Sequence, residues 1–244
     1  AGLWETIGTN IPPLNYPVGG GCPSWLFEAE ATNVVIQSNS LNTTPWTILS
    51  NTINTSGQVS PTVAGNEGWL VEDNSAIAAL ELVQFITPSS LGTQTATYRF
   101  IKDTDETRFP EFALRLNSGE VEQFTQVNTK TGVTNVRSSS GTVSHTIIEE
   151  DGWWVLKLTC VGATAIGTDN RVLIRPAAST TLGGFSNAAT GSIIVWNIQG
   201  ELGSTATSPI ITAGSSVTRF QDVPLSIATP LLLNDFSIYM EFNL

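Results

Sequence analysis

The feature that most constrains this chain is a period of two, written in short runs and broken by turn residues. Thr95-Ala96-Thr97-Tyr98-Arg99-Phe100-Ile101-Lys102 alternates β-branched and aromatic residues with partners of the opposite face. Phe112 to Leu116 and Val121 to Val127 follow as a strand pair turned by Asn117-Ser118-Gly119. Val143, His145 and Ile147 share a face, and Asp151-Gly152 then turns into Trp153-Trp154-Val155-Leu156-Lys157-Leu158-Thr159-Cys160. Arg171 to Ile174 and Ile193 to Ile198 complete the series. Short strands with a turn signal about every ten residues predict an all-β jelly-roll sandwich and exclude βαβ units. One stretch departs from this pattern. Asn74 to Ile86 carries Ala76, Ala78, Ala79, Leu80 and Leu82, and reads as a short helical turn followed by a strand.

Composition narrows the function classes. A net charge of −11 repels phosphate backbones, which excludes nucleic-acid binding through a basic face. Only 13% of the residues are charged, so the acidity is not that of a disordered tail. With 41% hydrophobic residues, 7 Trp and 10 Phe, the 244 residues can bury a sizeable core. No apolar run is long enough to cross a bilayer, so no membrane insertion is expected. Cys22 and Cys160 stand far apart and His145 is the single histidine, a set too sparse for a zinc site. The expectation for both cysteines is a reduced, buried thiol. A catalytic triad lacks a nucleophile elbow, and no phosphate-binding glycine loop occurs.

The chain divides into three parts. Residues 1–21, with Pro12, Pro13 and Pro17 before Gly19-Gly20-Gly21, read as an extended N-terminal arm. Residues 22–222 hold the sandwich. Residues 223–244 contain an alternating strand, Asn234 to Phe242, which belongs to a second module, to the main domain or to a neighbouring chain.

Three stretches carry a family resemblance. Asn15 to Asn33 has a Gly-rich turn before Leu26-Phe27-Glu28-Ala29-Glu30-Ala31-Thr32-Asn33, followed by Ser38 and Trp46. Glu150-Asp151-Gly152-Trp153-Trp154 is a Gly-Trp-aromatic strand. Val195 to Gly203, Thr207 to Thr212 and Val217 to Asp222 follow a pattern Trp-x-x-Gln-x-Glu-x-Gly, Thr-Ser-x-Ile-x-Thr, Val-Thr-Arg-x-x-Asp. Together they resemble phage and prophage tail-fibre, head-fibre and related virion appendage proteins. There a jelly-roll domain like a carbohydrate-binding module precedes a concanavalin- or laminin-G-like module. Two positions depart from that pattern: Pro209 stands where the family has Tyr, and Gly200 where a larger residue could sit. The resemblance implies a non-enzymatic virion or extracellular protein, a homotrimer among other virion proteins, with a role in assembly or in attachment to host-surface glycans. Two other classes stay open, a carbohydrate-binding module of a secreted bacterial polysaccharide-degrading system and a jelly-roll lyase or hydrolase.

Sugars stack on exposed aromatic planes, which makes the aromatics candidates for a carbohydrate site. Trp46 and Trp69 are flanked by turn residues, and Trp154 and Tyr98 sit in strands where neighbours must face opposite ways. These four are the carbohydrate-binding candidates. No cofactor is expected, except that Asp103, Asp105 and Glu106 have the spacing of an oxygen-rich Ca²⁺ loop, without the Gly and terminal Glu of an EF-hand. The alternative for that loop is a solvated turn. Glu28, Glu30 and Glu201 are the carboxylates a glycosidase could use. Their structural alternative is hydrogen bonding or ion pairing, with Arg219 as a partner.

Overall fold

The computed structural model describes residues 14–15, 24–25, 27–49, 53–62, 64–88, 92–164, 167 and 169–222. Its strands are β1 (Leu14–Asn15), β2 (Ser24–Trp25), β3 (Ala31–Asn33), β4 (Thr47–Leu49), β5 (Ile53–Gln58), β6 (Gly68–Asp73), β7 (Glu81–Phe85) and β8 (Gln94–Ile101). They continue as β9 (Phe109–Leu116), β10 (Val121–Val127), β11 (Thr134–Ser140), β12 (Thr142–Glu150), β13 (Trp153–Val161), β14 (Arg171–Ser179), β15 (Gly191–Leu202) and β16 (Val217–Arg219). Two six-stranded antiparallel sheets face each other. The front sheet runs β11-β10-β9-β14-β7-β4 and the back sheet β12-β13-β8-β15-β6-β5. Consecutive strands such as β8 and β9, or β13 and β14, change sheet, which gives the all-β jelly-roll sandwich that the alternation predicts. The arm over 1–21 and the strand over 223–244 lie outside the described residues, apart from the short β1–β2 pairing.

Alternation decides what enters the core. Ala96, Tyr98 and Phe100 of β8 point inward against Phe112, Leu114 and Leu116 of β9, all at most 1% exposed. Phe100 stacks on Phe112 at 4.5 Å between ring centroids, and Tyr98 meets the same ring at 5.1 Å. The Tyr98 hydroxyl donates to the Ala113 carbonyl at 2.6 Å, so its burial leaves no orphaned donor. That burial raises its phenol well above the ordinary value. Cys160 is free and buried, its thiol pushed up to about 12, chiefly by desolvation and further by the charge of Glu122. Cys22 lies outside the described residues. Val143 and Ile147 pack on the core, as their shared face requires. His145, beside them, meets Gln123 Nε2 at 2.9 Å and Thr134 Oγ1 at 3.0 Å.

The helical turn expected near Ala76 does not form. Buried Asp73 accepts the backbone amides of Ser75 at 2.9 Å and Leu80 at 2.8 Å, and Ser75 Oγ accepts those of Ile77 and Ala78. These side-chain acceptors satisfy the amides in a loop, in competition with a helical ladder. The strand half of that expectation is β7.

Candidate functional site

The outward faces of the two sheets differ, and the difference locates the candidate site. On the back sheet, Thr95, Thr97 and Arg99 of β8 point away from the core yet are at most 4% exposed. The neighbouring outward positions of β15 are Gln199 and Glu201, paired in register with Thr97 and Thr95. Both β15 side chains hold the segment that follows them. Gln199 Oε1 accepts the Ile210 amide at 2.7 Å, and Glu201 accepts the Thr207 amide at 3.1 Å and its hydroxyl at 2.5 Å.

Asn33 completes the next layer. Its Nδ2 donates to the Ile210 carbonyl at 2.8 Å, while its Oδ1 accepts the amides of Val35 and Gly200, each at 3.0 Å. Ser38 and Thr212 exchange amide-to-hydroxyl bonds in both directions at 2.9 Å. Glu28 accepts the Ser208 amide at 2.7 Å and Arg219 Nη1 at 2.6 Å. Glu28, Asn33 and Ser38 together with Gln199, Glu201, Thr207, Ser208, Ile210, Thr212 and Arg219 therefore form one polar latch, tying residues 27–40 to 199–222. Gly200 departs from the resembled family's motif because Val34 and Val35 need the space. A Cβ there would lie 3.2–3.3 Å from their methyl groups. Glu28 and Glu201 are bound up in backbone hydrogen bonds and the Arg219 ion pair, the structural role set against glycosidase work.

Burial corrects the carbohydrate-site aromatics. Trp46, Trp69 and Trp154 are 6–8% exposed and Tyr98 is fully buried, so none offers a ring face to a ligand. Each indole N–H has found an internal carbonyl: Trp46 donates to Gln37 at 2.8 Å, Trp69 to Asn39 at 2.9 Å and Trp154 to Thr129 at 2.7 Å. A tryptophan with its N–H satisfied inside has no reason to stay wet. Gly132, at φ 73°, lies directly against the Trp154 ring, where a Cβ would come within 2.5 Å of it.

The Ca²⁺ candidate is corrected by charge. The Arg108 guanidinium occupies the place a cation would take, with Nη2 on Asp103 and Nη1 on Asp105, each at 2.5 Å. Asp103 also accepts the Thr129 hydroxyl, and Glu106 pairs with Lys130 at 3.0 Å. Two bonds from Thr107, its hydroxyl first and its amide second, hold the Asp105 carboxyl below its ordinary value, with Arg108 adding to them. Among the described residues no group of three His, Cys, Asp or Glu could hold a metal ion.

The front sheet is built differently. Its outward residues form three rows across the strands, fixed by the register. The middle row is apolar: Phe124, Ala113, Leu173 and Val83, a small cluster separate from the main core. On one side of it Glu111, fully buried, lies between two arginines. Arg175 Nη1 and Arg137 Nε both donate to it, and Arg175 also grips Glu81 at 2.6 Å. A register shift opposite Phe124 re-aims Arg137 onto this face. Both guanidinium groups stack between Phe124 below and Phe185 above, 5.1–5.5 Å from the ring centroids. Phe185 rides on the loop from 180 to 190. Gln126 pins that loop by accepting the Gly183 amide at 2.7 Å and donating to the Gly184 carbonyl at 2.5 Å.

On the other side of the apolar row stand Arg115, Arg171 and Phe85. Asp169 lies between the two arginines, 3.2 Å from Arg115 Nε and 3.4 Å from Arg171 Nε. Phe85 is the register partner of Arg171 and is 51% exposed; Phe185 is 47% exposed. The face thus presents two open aromatic rings with guanidinium and carboxylate groups between them. Phe85 is on β7 and Phe124, beneath Phe185, on β10, three strand spacings or ~14 Å apart. Sequence reading missed this face because its residues come from five strands and two loops. The available signal was the charged-small-charged triplet Glu111-Ala113-Arg115, echoed by Arg171-Leu173-Arg175, on the faces opposite apolar ones.

The chain matches no model of a known protein family, and no curated protein matches its sequence.

Proposed function

We propose that this chain is a non-enzymatic structural protein of a phage-like particle, a fibre or surface appendage, whose sandwich attaches to host-surface glycans through the outward face of the front sheet. The observation that carries the attachment role is the pair of half-exposed phenylalanines, Phe85 and Phe185, flanking a floor of arginines and acids. Sugar C–H faces pack on such rings while polar neighbours orient the hydroxyls. The carboxylates of this face, Glu81 and Glu111, are held by arginines, an arrangement suited to fixed recognition more than to proton transfer. The virion role rests on the resemblance in residues 15–222. One shallow contact of this kind is weak, so several copies, a homotrimer in the resembled family, would supply avidity.

A glycan array read with wild type and with the Phe85→Ala/Phe185→Ala double variant, alongside light scattering, tests the reading. Binding by an oligomer that the double variant loses without a change in Tm is the expected result. A strict monomer with strong affinity for one sugar class would favour the secreted carbohydrate-binding module. Polysaccharide turnover abolished by Glu28→Gln or Glu201→Gln would favour the enzyme.

A further inference from the structure

The front face contains one arginine that donates no hydrogen bond within the described structure. Of the seven arginines, six donate at least one hydrogen bond within the described structure: Arg99 to Asn197, Arg108 to Asp103 and Asp105, Arg115 to Ser118, Arg137 to Glu111, Arg175 to Glu81 and Glu111, and Arg219 to Glu28. Arg171 is the exception. Its Nε is buried and faces Asp169 at 3.4 Å without a hydrogen bond, while its two terminal nitrogens are neither bonded nor buried. The stem is packed, leaving the side chain 19% exposed, so the fork is held in place and open at its end. Phe85, exposed beside it in register, supplies an apolar plane next to that fork.

A planar fork with two free N–H edges matches a carboxylate bidentately, and a fixed fork loses little entropy on binding. Asp169 lies 3.4 Å from Arg171 Nε and is shared with Arg115, whose own charge Glu122 also meets at 3.6 Å. Resting on the glycan-attachment reading above, we infer that the ligand is an acidic oligosaccharide: Arg171 takes the carboxylate of one sugar and Phe85 the apolar face of the same or the next ring. The charge of the whole molecule bears on which anion fits. At a net −11, a dense polyanion such as a phosphate-linked polymer is repelled at every approach, whereas a sugar with one carboxylate meets a single matched cation. Arg171 is then the specificity-determining residue of the face.

The test uses matched pairs: trigalacturonate, a sialyl-lactose and a glucuronate-containing disaccharide, each against its carboxyl-reduced form, with an oligomeric glycerol phosphate as a further probe. Affinities are measured by calorimetry for wild type, Arg171→Gln, Arg171→Lys and Phe85→Ala, with thermal melts for each. Wild type should prefer at least one acidic member over its reduced form by about tenfold or more. Arg171→Gln should bring that ratio to near one while keeping residual binding of the reduced sugar. Arg171→Lys, which retains charge without the fork, should fall between. Phe85→Ala should weaken both forms together. Because Arg171 points outward, the variants should melt with wild type; if Arg171→Gln unfolds, the wild-type ratio alone decides. Equal wild-type binding of acidic and reduced forms overturns the acid preference and leaves glycan attachment standing. Tighter binding of the glycerol phosphate also overturns it. Binding of none of the sugars overturns both.

Discussion

The two sheets of this sandwich point comparable rows of polar side chains away from the same core, and treat them in opposite ways. The back sheet is covered: residues 27–40 and 203–222 are tied to β15 and to each other, with Asn33, Ser38, Gln199, Glu201 and Thr212 each hydrogen-bonded within the chain. The front sheet buries its outward apolar row as well, but its charges are paired sideways with one another and two rings, Phe85 and Phe185, stay half-exposed. A covered polar layer fixes a conformation, since any missing partner leaves a desolvated group behind. A layer whose charges are already paired can meet a ligand at its exposed rings without first breaking its own structure. On the proposed function, the first region fixes the fold and the second meets the ligand.

That contrast can be broken by mutation. The largest effect is expected in the latch. Asn33→Ala strands the Ile210 carbonyl and the amides of Val35 and Gly200, all buried, and should cost about 3 kcal/mol in denaturant unfolding, with no change in any ligand preference. Glu111→Ala should come next, at about 2 kcal/mol, because it leaves Arg137 and Arg175 facing each other under Phe185. Since those arginines are partly exposed, the cost stays below that of a fully buried pair. Gly132→Ala should follow at about 1–2 kcal/mol, from the Trp154 clash and a positive φ together. Phe85→Ala should leave stability within about 0.5 kcal/mol and still weaken glycan binding, which is the clearest separation of the two regions.

The smallest effect is one of pH. The Asp105 carboxyl is held below its unfolded value, so its contribution is present above that value and is lost as pH falls through the folded one. Thr107→Ala removes the largest cause, the hydroxyl bond, and leaves the amide bond in place. It should therefore lower stability at neutral pH, and the deficit should shrink as acid protonates the carboxyl in both proteins. A deficit that persisted unchanged into strong acid would mean Thr107 acts through packing.

Alternation made most of the sandwich legible. β8, β9, β10, β13 and the starts of β14 and β15 follow directly from residues of opposite character at successive positions. β11 was not legible, because Thr134-Asn135-Val136-Arg137-Ser138-Ser139-Ser140 has no apolar face; the sheet, through β10, makes it a strand. The Arg219 partnership of Glu28 was readable from chemistry alone, whereas the roles of Asn33, Ser38 and Thr212 required knowing which loops meet. The aromatic choice went wrong for a physical reason. Tryptophan looks like the better sugar platform, but its N–H lets it be buried against a carbonyl, and here three tryptophans pin loops from within. Phe85 and Phe185 have no such handle and stay outside.

The latch closes on itself at Glu28 and Asp222, where the amide of each is held by the other residue: Asp222 N–H donates to the Glu28 carbonyl and Glu28 N–H to the Asp222 carboxylate, both at 3.0 Å. Beyond them β3 and β16 run antiparallel, Ala31 opposite Arg219 and Asn33 opposite Val217. Residues 28–33 and 217–222 thus lie side by side. A tug delivered through the backbone would arrive at this junction and peel it one rung at a time, as a zipper is opened, while the two large sheets carry no tension. On the proposed function, a domain held in this way is loaded at its root before its front face, and a few hydrogen bonds at that stem set how much pull it bears.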